Sequence, residues 1–370
     1  MKTEIDKKYL LSSYNFDVPP ENVAQSPADR RECSKLYEKK GLEEKSCFFY
    51  DLDTLLPEGA LVVLNETKVF SCRLEAKNKT RGKIEVFLLE SPSVKNSSML
   101  EALAKPFKKI KEGMTLSFAS GVSAEVVSKL DQNKLAKIML QFNLEARELD
   151  VWLAKEGRVP LPPYIKREKG PSSDQDQSRY QTVYAKKTGS VAAPTAGLHF
   201  TEEVIAKLKR KNIDFAKVTL HVGLGTFLPI KEEEILKHEM HSETYQVPKE
   251  SLAKIEKAKK EGRKIIMVGT TSLRCLESFY LKAQKESLLV DDLADKWLKT
   301  NLFIYPKKDG TLYKPQVGDA LLTNFHQPCS SLFVLISALL GREEVLTMYQ
   351  RALKKDYRFY SYGDSSLLWL

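Results

Sequence analysis

Two hydrophobic periodicities divide the chain. From about Thr67 to Asn143 apolar and polar residues alternate in short stretches: KVFSCRLEAKN, GKIEVFLLES, SMLEALAKP, MTLSFAS, SAEVVSKL and LAKIMLQFN. A period of two puts every apolar side chain on one face, and turn residues separate the stretches, so each predicts a β-strand. Strands this short and frequent fit a small antiparallel barrel. Beyond GRVPLPPYI (residues 157–165) the pattern changes. Thr201 reads as an N-cap, with Glu202 and Glu203 in the first turn of a helix running to about Lys211. Strand patterns follow at residues 214–222, 263–268 (RKIIMV), 301–305 and 319–323. Helical patterns lie at 249–261, from about Ser272, at 331–340 and at 342–355, and RFYSYGDSSLLWL ends the chain as a further strand-like run. Alternating strands and helices predict an α/β domain. The expected architecture is an α/β main domain with a mixed sheet, built from residues 1–66 and 158–370, with a small antiparallel β-barrel of residues 67–157 inserted into it.

At 370 residues the chain is long for one core, which agrees with two domains. Hydrophobic residues at 42% and charged residues at 29% exclude a disordered chain. The longest apolar run, SLFVLISALL, is about half of the roughly 20 residues that span a bilayer, so a buried helix is expected and no membrane partner. The N-terminal MKTEIDKKYLLSSYNF lacks the apolar core of a signal peptide, and the expected location is cytoplasmic. Cys33, Cys47, Cys72, Cys275 and Cys329 are odd in number with no CxxC spacing, which predicts reduced thiols. Lys and Arg outnumber acids 59 to 49, for a net charge of +10, and suggest a polyanionic partner. The excess gathers at residues 77–83, 105–111, 207–211 and 254–264.

Candidate chemistry concentrates between Gly189 and Glu243, where four of the five histidines fall. His199 follows the turn APTAG and precedes a helix start, where free N–H groups suit an anion. His221 ends an apolar strand that runs into Gly223-Leu224-Gly225-Thr226, a turn whose backbone can approach a ligand closely, although His221 could equally be a core residue. His238, His241 and Glu243 invite a metal reading. The expected break from helix to strand between them argues against it, and no metal is expected. Thr270, Thr271, Arg274 and Glu277 follow a buried strand; Asn324 and His326 follow another; Asp364 follows the last helices. All lie at strand ends, where open α/β sheets bind ligands.

Together these stretches resemble the S-adenosylmethionine:tRNA ribosyltransferase-isomerases of queuosine biosynthesis. The resemblance runs over nearly the whole chain through FDVPPENVAQ, VLNETKVF, GRVPLPPYI, SRYQTVYA, GSVAAPTAGLHFT, VTLHVGLGTF, HEMHSE, VGTTSLRCLES, DALLTNFHQP and YRFYSYGD. Glu66 and Lys68 depart from the family's usual Asp and Arg, and residues 307–315 depart from its loop. The resemblance implies a tRNA substrate bearing 7-aminomethyl-7-deazaguanine at the wobble position. It also implies S-adenosyl-L-methionine as co-substrate, no metal and no stable protein partner. The ribosyl group would move to the aminomethyl nitrogen and rearrange to an epoxycyclopentanediol, giving epoxyqueuosine with release of adenine and methionine. On this reading His199 and His241 share acid–base work with Glu243 orienting one of them. Asp364 or Glu277 faces the sulfonium or the ribose hydroxyls, Arg274 holds the methionine carboxylate, and Gly223 to Thr226 pack on the nucleoside. The rivals are an S-adenosylmethionine-dependent tRNA methyltransferase and a non-enzymatic tRNA-binding protein.

Overall fold

The computed structural model of the chain describes residues 6–132, 135–167, 174–223, 225 and 230–370. The strands, in chain order, begin with β1 (Lys35–Lys40), β2 (Glu43–Phe48), β3 (Leu61–Asn65) and β4 (Thr67–Val69). Then come β5 (Arg73–Lys77), β6 (Lys83–Leu88), β7 (Met99–Lys105), β8 (Thr115–Ser117), β9 (Ser123–Gln132) and β10 (Leu135–Phe142). The rest are β11 (Lys187–Ser190), β12 (Asp214–His221), β13 (Glu243–Gln246), β14 (Ile265–Val268), β15 (Leu298–Thr300), β16 (Ala320–Asn324) and β17 (Ser365–Trp369).

Nine of these form one mixed sheet in the order β15-β13-β12-β3-β14-β16-β17-β1-β2. Its centre, β12 to β16, is parallel. Every residue of β3, β14 and β16 is buried, because helices cover both faces and leave no polar side to alternate with. Leu220, Met267 and Leu321 pack under the helices Gly269–Glu286 and Ser331–Leu340 on one face. Val62, Ile266 and Leu322 pack against Phe200 and the helix Glu202–Arg210 on the other. Thr201 caps that helix as its sequence predicts, accepting from the Val204 N–H at 3.2 Å.

The six alternating stretches all contribute strands to a closed barrel, β10-β7-β6-β5-β8-β9. Leu74, Val86, Leu100, Ile138 and Leu140 fill it, and the helix Ala146–Glu156 adds Leu149, Trp152 and Leu153 to the same core. The barrel closes from Arg73 rather than residue 67. Thr67–Val69 pairs in parallel with β11, outside the barrel, and Arg73 bridges to Arg158 where the chain returns.

Two expectations shift, and one element has no counterpart in the sequence pattern. Residues 301–305 are not a strand; β15 ends at Thr300. The Leu302 N–H is taken by the Thr300 hydroxyl and its carbonyl by Arg274, so side chains replace the ladder there. The helix expected from Ser272 begins at Gly269, whose φ of +83° turns the strand directly into the helix. The hairpin β1–β2 joins the sheet edge although its sequence, KLYEKKGLEEKSCF, carries little apolar pattern. Among the described residues no helix is long and apolar enough to cross a membrane.

Candidate active site

A crevice lies at the carboxyl ends of the parallel strands β14 and β16. Thr270 and Thr271 line it from the first turn of the helix after β14, Asn324 from the end of β16 and His326 from the loop beyond it, and Thr195 from the APTAG turn. Tyr164, Tyr180 and Tyr360 supply aromatic walls. The helices Gly269–Glu286 and Ser331–Leu340 both begin here. Among the described residues none of the lining side chains is Asp, Glu, Lys or Arg. The crevice is therefore a neutral site of hydroxyls, amides, rings and one imidazole. That imidazole, His326, has Nε2 2.9 Å from the Thr323 hydroxyl, while its backbone N–H donates to Tyr349. Burial pushes it down to about 3, so it is neutral at pH 7.

His199 stands behind this wall rather than in it. Its Nδ1 lies 2.7 Å from the Ser34 hydroxyl and its Nε2 3.3 Å from Asn324 Nδ2. The Asn324 amide also donates to the Asp364 carbonyl at 3.4 Å and accepts from the Thr195 hydroxyl at 2.8 Å. A carbonyl can only accept, so the amide nitrogen faces both Asp364 and His199. His199 Nε2 is then the acceptor, and Nδ1 carries the proton donated to Ser34. Burial first, and the charges of Arg358 and Arg31 after it, push His199 down to about 3. The chain Ser34–His199–Asn324–Thr195 ends at the crevice with the Thr195 oxygen free to accept from a ligand.

A second group lies one turn along the same helix. Arg274 pairs with Glu243, both buried, and Glu243 accepts from the Gly223 N–H at 3.1 Å. The exposed ring of His241 packs so closely on Gly225 that a Cβ there would sit 2.3 Å from it. Val222, which leads into this turn, also lines the crevice. Thr226 lies outside the described residues. The structure thus gathers Gly223, Gly225, His241, Glu243 and Arg274, and separately Thr270, Thr271, Asn324 and His326, with the first turns of one helix joining the two groups.

The remaining candidates are placed elsewhere. His199 and His241 do not share a cavity, because His199 is sealed behind Asn324 and His241 faces solvent. Arg274 has its carboxylate partner within the chain, Glu243. Glu277 accepts from the Tyr313 hydroxyl and the Gln316 N–H, fixing that loop. Asp364 accepts from the backbone N–H groups of Lys35 and Arg358, at 2.9 and 2.8 Å, and clamps β1 to the 358–364 turn. His221 points to the opposite face from Val222, with Nδ1 2.8 Å from the Thr67 hydroxyl and its ring stacked on Trp297 at 5.1 Å. Burial pushes it down to about 4. Thr195 and the three tyrosines were within motifs singled out from the sequence, but nothing local distinguished them from their neighbours. Ser34 carried no signal, because only the fold brings it to His199.

A model of the queuosine biosynthesis protein family matches residues 11–368. An S-adenosylmethionine:tRNA ribosyltransferase-isomerase from Treponema denticola is 42% identical over 363 residues, 97% of this chain and 99% of that protein. Its counterpart from Desulfotalea psychrophila is 43% identical over 366 residues, 98% of each. The crystal structure of S-adenosylmethionine tRNA ribosyltransferase from Thermotoga maritima aligns with a TM-score of 0.50 at 29% identity, covering 96% of this chain and 99% of that one. The likeness runs almost end to end, through both the sheet with its crevice and the barrel, and the chain belongs to the queuosine biosynthesis family.

Proposed function

We propose that this chain is an S-adenosylmethionine:tRNA ribosyltransferase-isomerase. It would move the ribosyl group of S-adenosyl-L-methionine to the aminomethyl nitrogen of 7-aminomethyl-7-deazaguanine in tRNA and rearrange it to the epoxycyclopentanediol. Adenine and methionine leave. The observation that carries this reading is the near full-length identity to enzymes of that name.

The crevice suits the co-substrate. A sulfonium and an adenine ring both favour aromatic faces, which Tyr164 and Tyr360 provide with no Lys or Arg among the described lining residues. The two helix N-termini favour the methionine carboxylate; Arg274 gives Nη1 to Glu243 and Nε to the Leu302 carbonyl and keeps a buried Nη2 with no partner. The reaction needs a base for a ribose proton made acidic by the sulfonium, an acid for departing adenine, and a neutral incoming amine. Well-placed proton transfer contributes about 10²–10⁴-fold. His326 supplies a neutral imidazole inside the crevice, and His241 a solvent-facing one beside it. We assign the proton traffic to these two, with His199 orienting Asn324 and Thr195.

Purified protein incubated with S-adenosylmethionine and precursor-bearing tRNA is expected to add the cyclopentanediol mass to the wobble nucleoside and to release free adenine. Release of S-adenosylhomocysteine would indicate a methyltransferase. Tight tRNA binding with no cofactor consumed would indicate a binding protein. Either outcome refutes the assignment.

A further inference from the structure

The four basic clusters of the sequence have different fates in the fold. Those at 207–211 and 254–264 are largely engaged. Lys211 donates to the carbonyls of Asp53 and Leu56, and Lys254, Lys257 and Lys259 pair with Glu250, Glu261 and Glu256 along their own helix. The clusters at 77–83 and 105–111 meet. β5 ends at Lys77 and β6 starts at Lys83, while β7, paired to β6 through Glu85 and Lys105, ends at the same rim. The segment 106–114 then crosses that rim to β8. Lys129 of β9 joins it, donating to the Ile110 carbonyl and lying over the Phe107 ring at 4.3 Å.

Lys77, Lys79, Arg81, Lys83, Lys105, Lys108, Lys109 and Lys111 are all exposed. Among the described residues none lies within 4.0 Å of a carboxylate. The two segments together hold no acid; the nearest in sequence, Glu112, is spent on the Lys129 N–H. Lys77 and Lys83 stand directly opposite each other across the strand pair, an arrangement of like charges that destabilises a sheet. A rim kept so uncompensated suits an external polyanion. It lies at the end of the barrel away from the main domain, because β5 starts beside Arg158 at the domain junction and climbs roughly 13 Å to Lys77.

We propose that this distal rim of the barrel grips the tRNA sugar-phosphate backbone at a point remote from the crevice, so that the arm spans both domains while its wobble base enters the site. The inference rests on the tRNA reading above and adds the surface that holds the RNA. Contacts of this kind are sequence-independent and depend steeply on salt.

The test is the equilibrium Kd for unmodified tRNA, measured against salt for the full chain and for the variant carrying Lys79→Ala, Arg81→Ala, Lys108→Ala and Lys109→Ala. The variant should bind at least about tenfold more weakly near physiological salt, and the slope of log K on log[salt] should shrink by about one for each phosphate no longer neutralised. The kcat and the KM for S-adenosylmethionine should not move. A second variant with only Lys108→Ala and Lys109→Ala guards against misfolding, and Lys257→Ala with Lys260→Ala serves as a control on a basic surface outside the rim. Unchanged tRNA affinity and slope in the folded rim variants, or equal loss in the control, overturns the proposal. Wild-type protein that binds tRNA through the rim but makes no product would sink the catalytic assignment and leave the rim standing.

Discussion

At the scale of single residues, burial holds three imidazoles neutral. His199 and His326 are held down to about 3 and His221 to about 4, in each case chiefly by burial. Each is neutral in the folded chain and takes up a proton in the unfolded chain below about 6.5. Their contribution is complete above that pH and is lost as pH falls towards 4, at about 1.4 kcal/mol per pH unit for each. Urea unfolding followed from pH 7 to pH 5 should show that decline, and His326→Gln should flatten it by one residue's share. His199 also separates two roles. As an orienting residue, its replacement by Ala should lower kcat by about 10²-fold through misplacement of Asn324 and Thr195. The KM for tRNA and both limbs of the kcat–pH profile should remain. Disappearance of a limb would make His199 the titrating group. The Glu243–Arg274 pair behaves differently again. Arg274→Met strands a buried carboxylate and should cost about 3–5 kcal/mol, measurable as a fall in the denaturation midpoint, and Glu243→Gln in the same chain should restore part of it.

Strand-to-helix turns decide where these side chains stand. Gly269 adopts a left-handed conformation between β14 and its helix, so that the turn presents Thr270 and Thr271 to the crevice instead of continuing the strand. Gly269→Ala should cost about 1–2 kcal/mol and raise the KM for S-adenosylmethionine more than that for tRNA; equal effects on both would remove the turn from cofactor binding. The APTAG turn is fixed by crowding. A Cβ at Gly197 would lie 2.0 Å from the Tyr184 hydroxyl oxygen, which is why this turn passes so close to the core. Elements of this kind were readable in advance wherever the pattern was strongly apolar or capped, as in β14 or the helix after Thr201. The hairpin β1–β2 was not. Its residues are mostly charged, and it is a strand pair because β17 offers it an edge.

Across the whole molecule, cofactor and fold are linked. If the crevice binds S-adenosylmethionine only in the folded chain, cofactor at 100 times its Kd should stabilise the protein by about 2.7 kcal/mol, seen as a rise in Tm. No rise at saturating cofactor would mean that the folded chain does not bind it. The sequence by itself determined the two textures, the barrel strands, the strand-end location of Thr270, Asn324 and His326, and the membership of a family, because these depend on local periodicity and on contiguous motifs. Only the tertiary structure decided that His199 is sealed behind Asn324 while His241 faces water, that Arg274 is matched by Glu243, and that two basic clusters share one rim while two others are engaged. Those outcomes turn on burial and on partners far apart in the chain, such as Ser34 with His199, and a linear pattern holds no record of such distances.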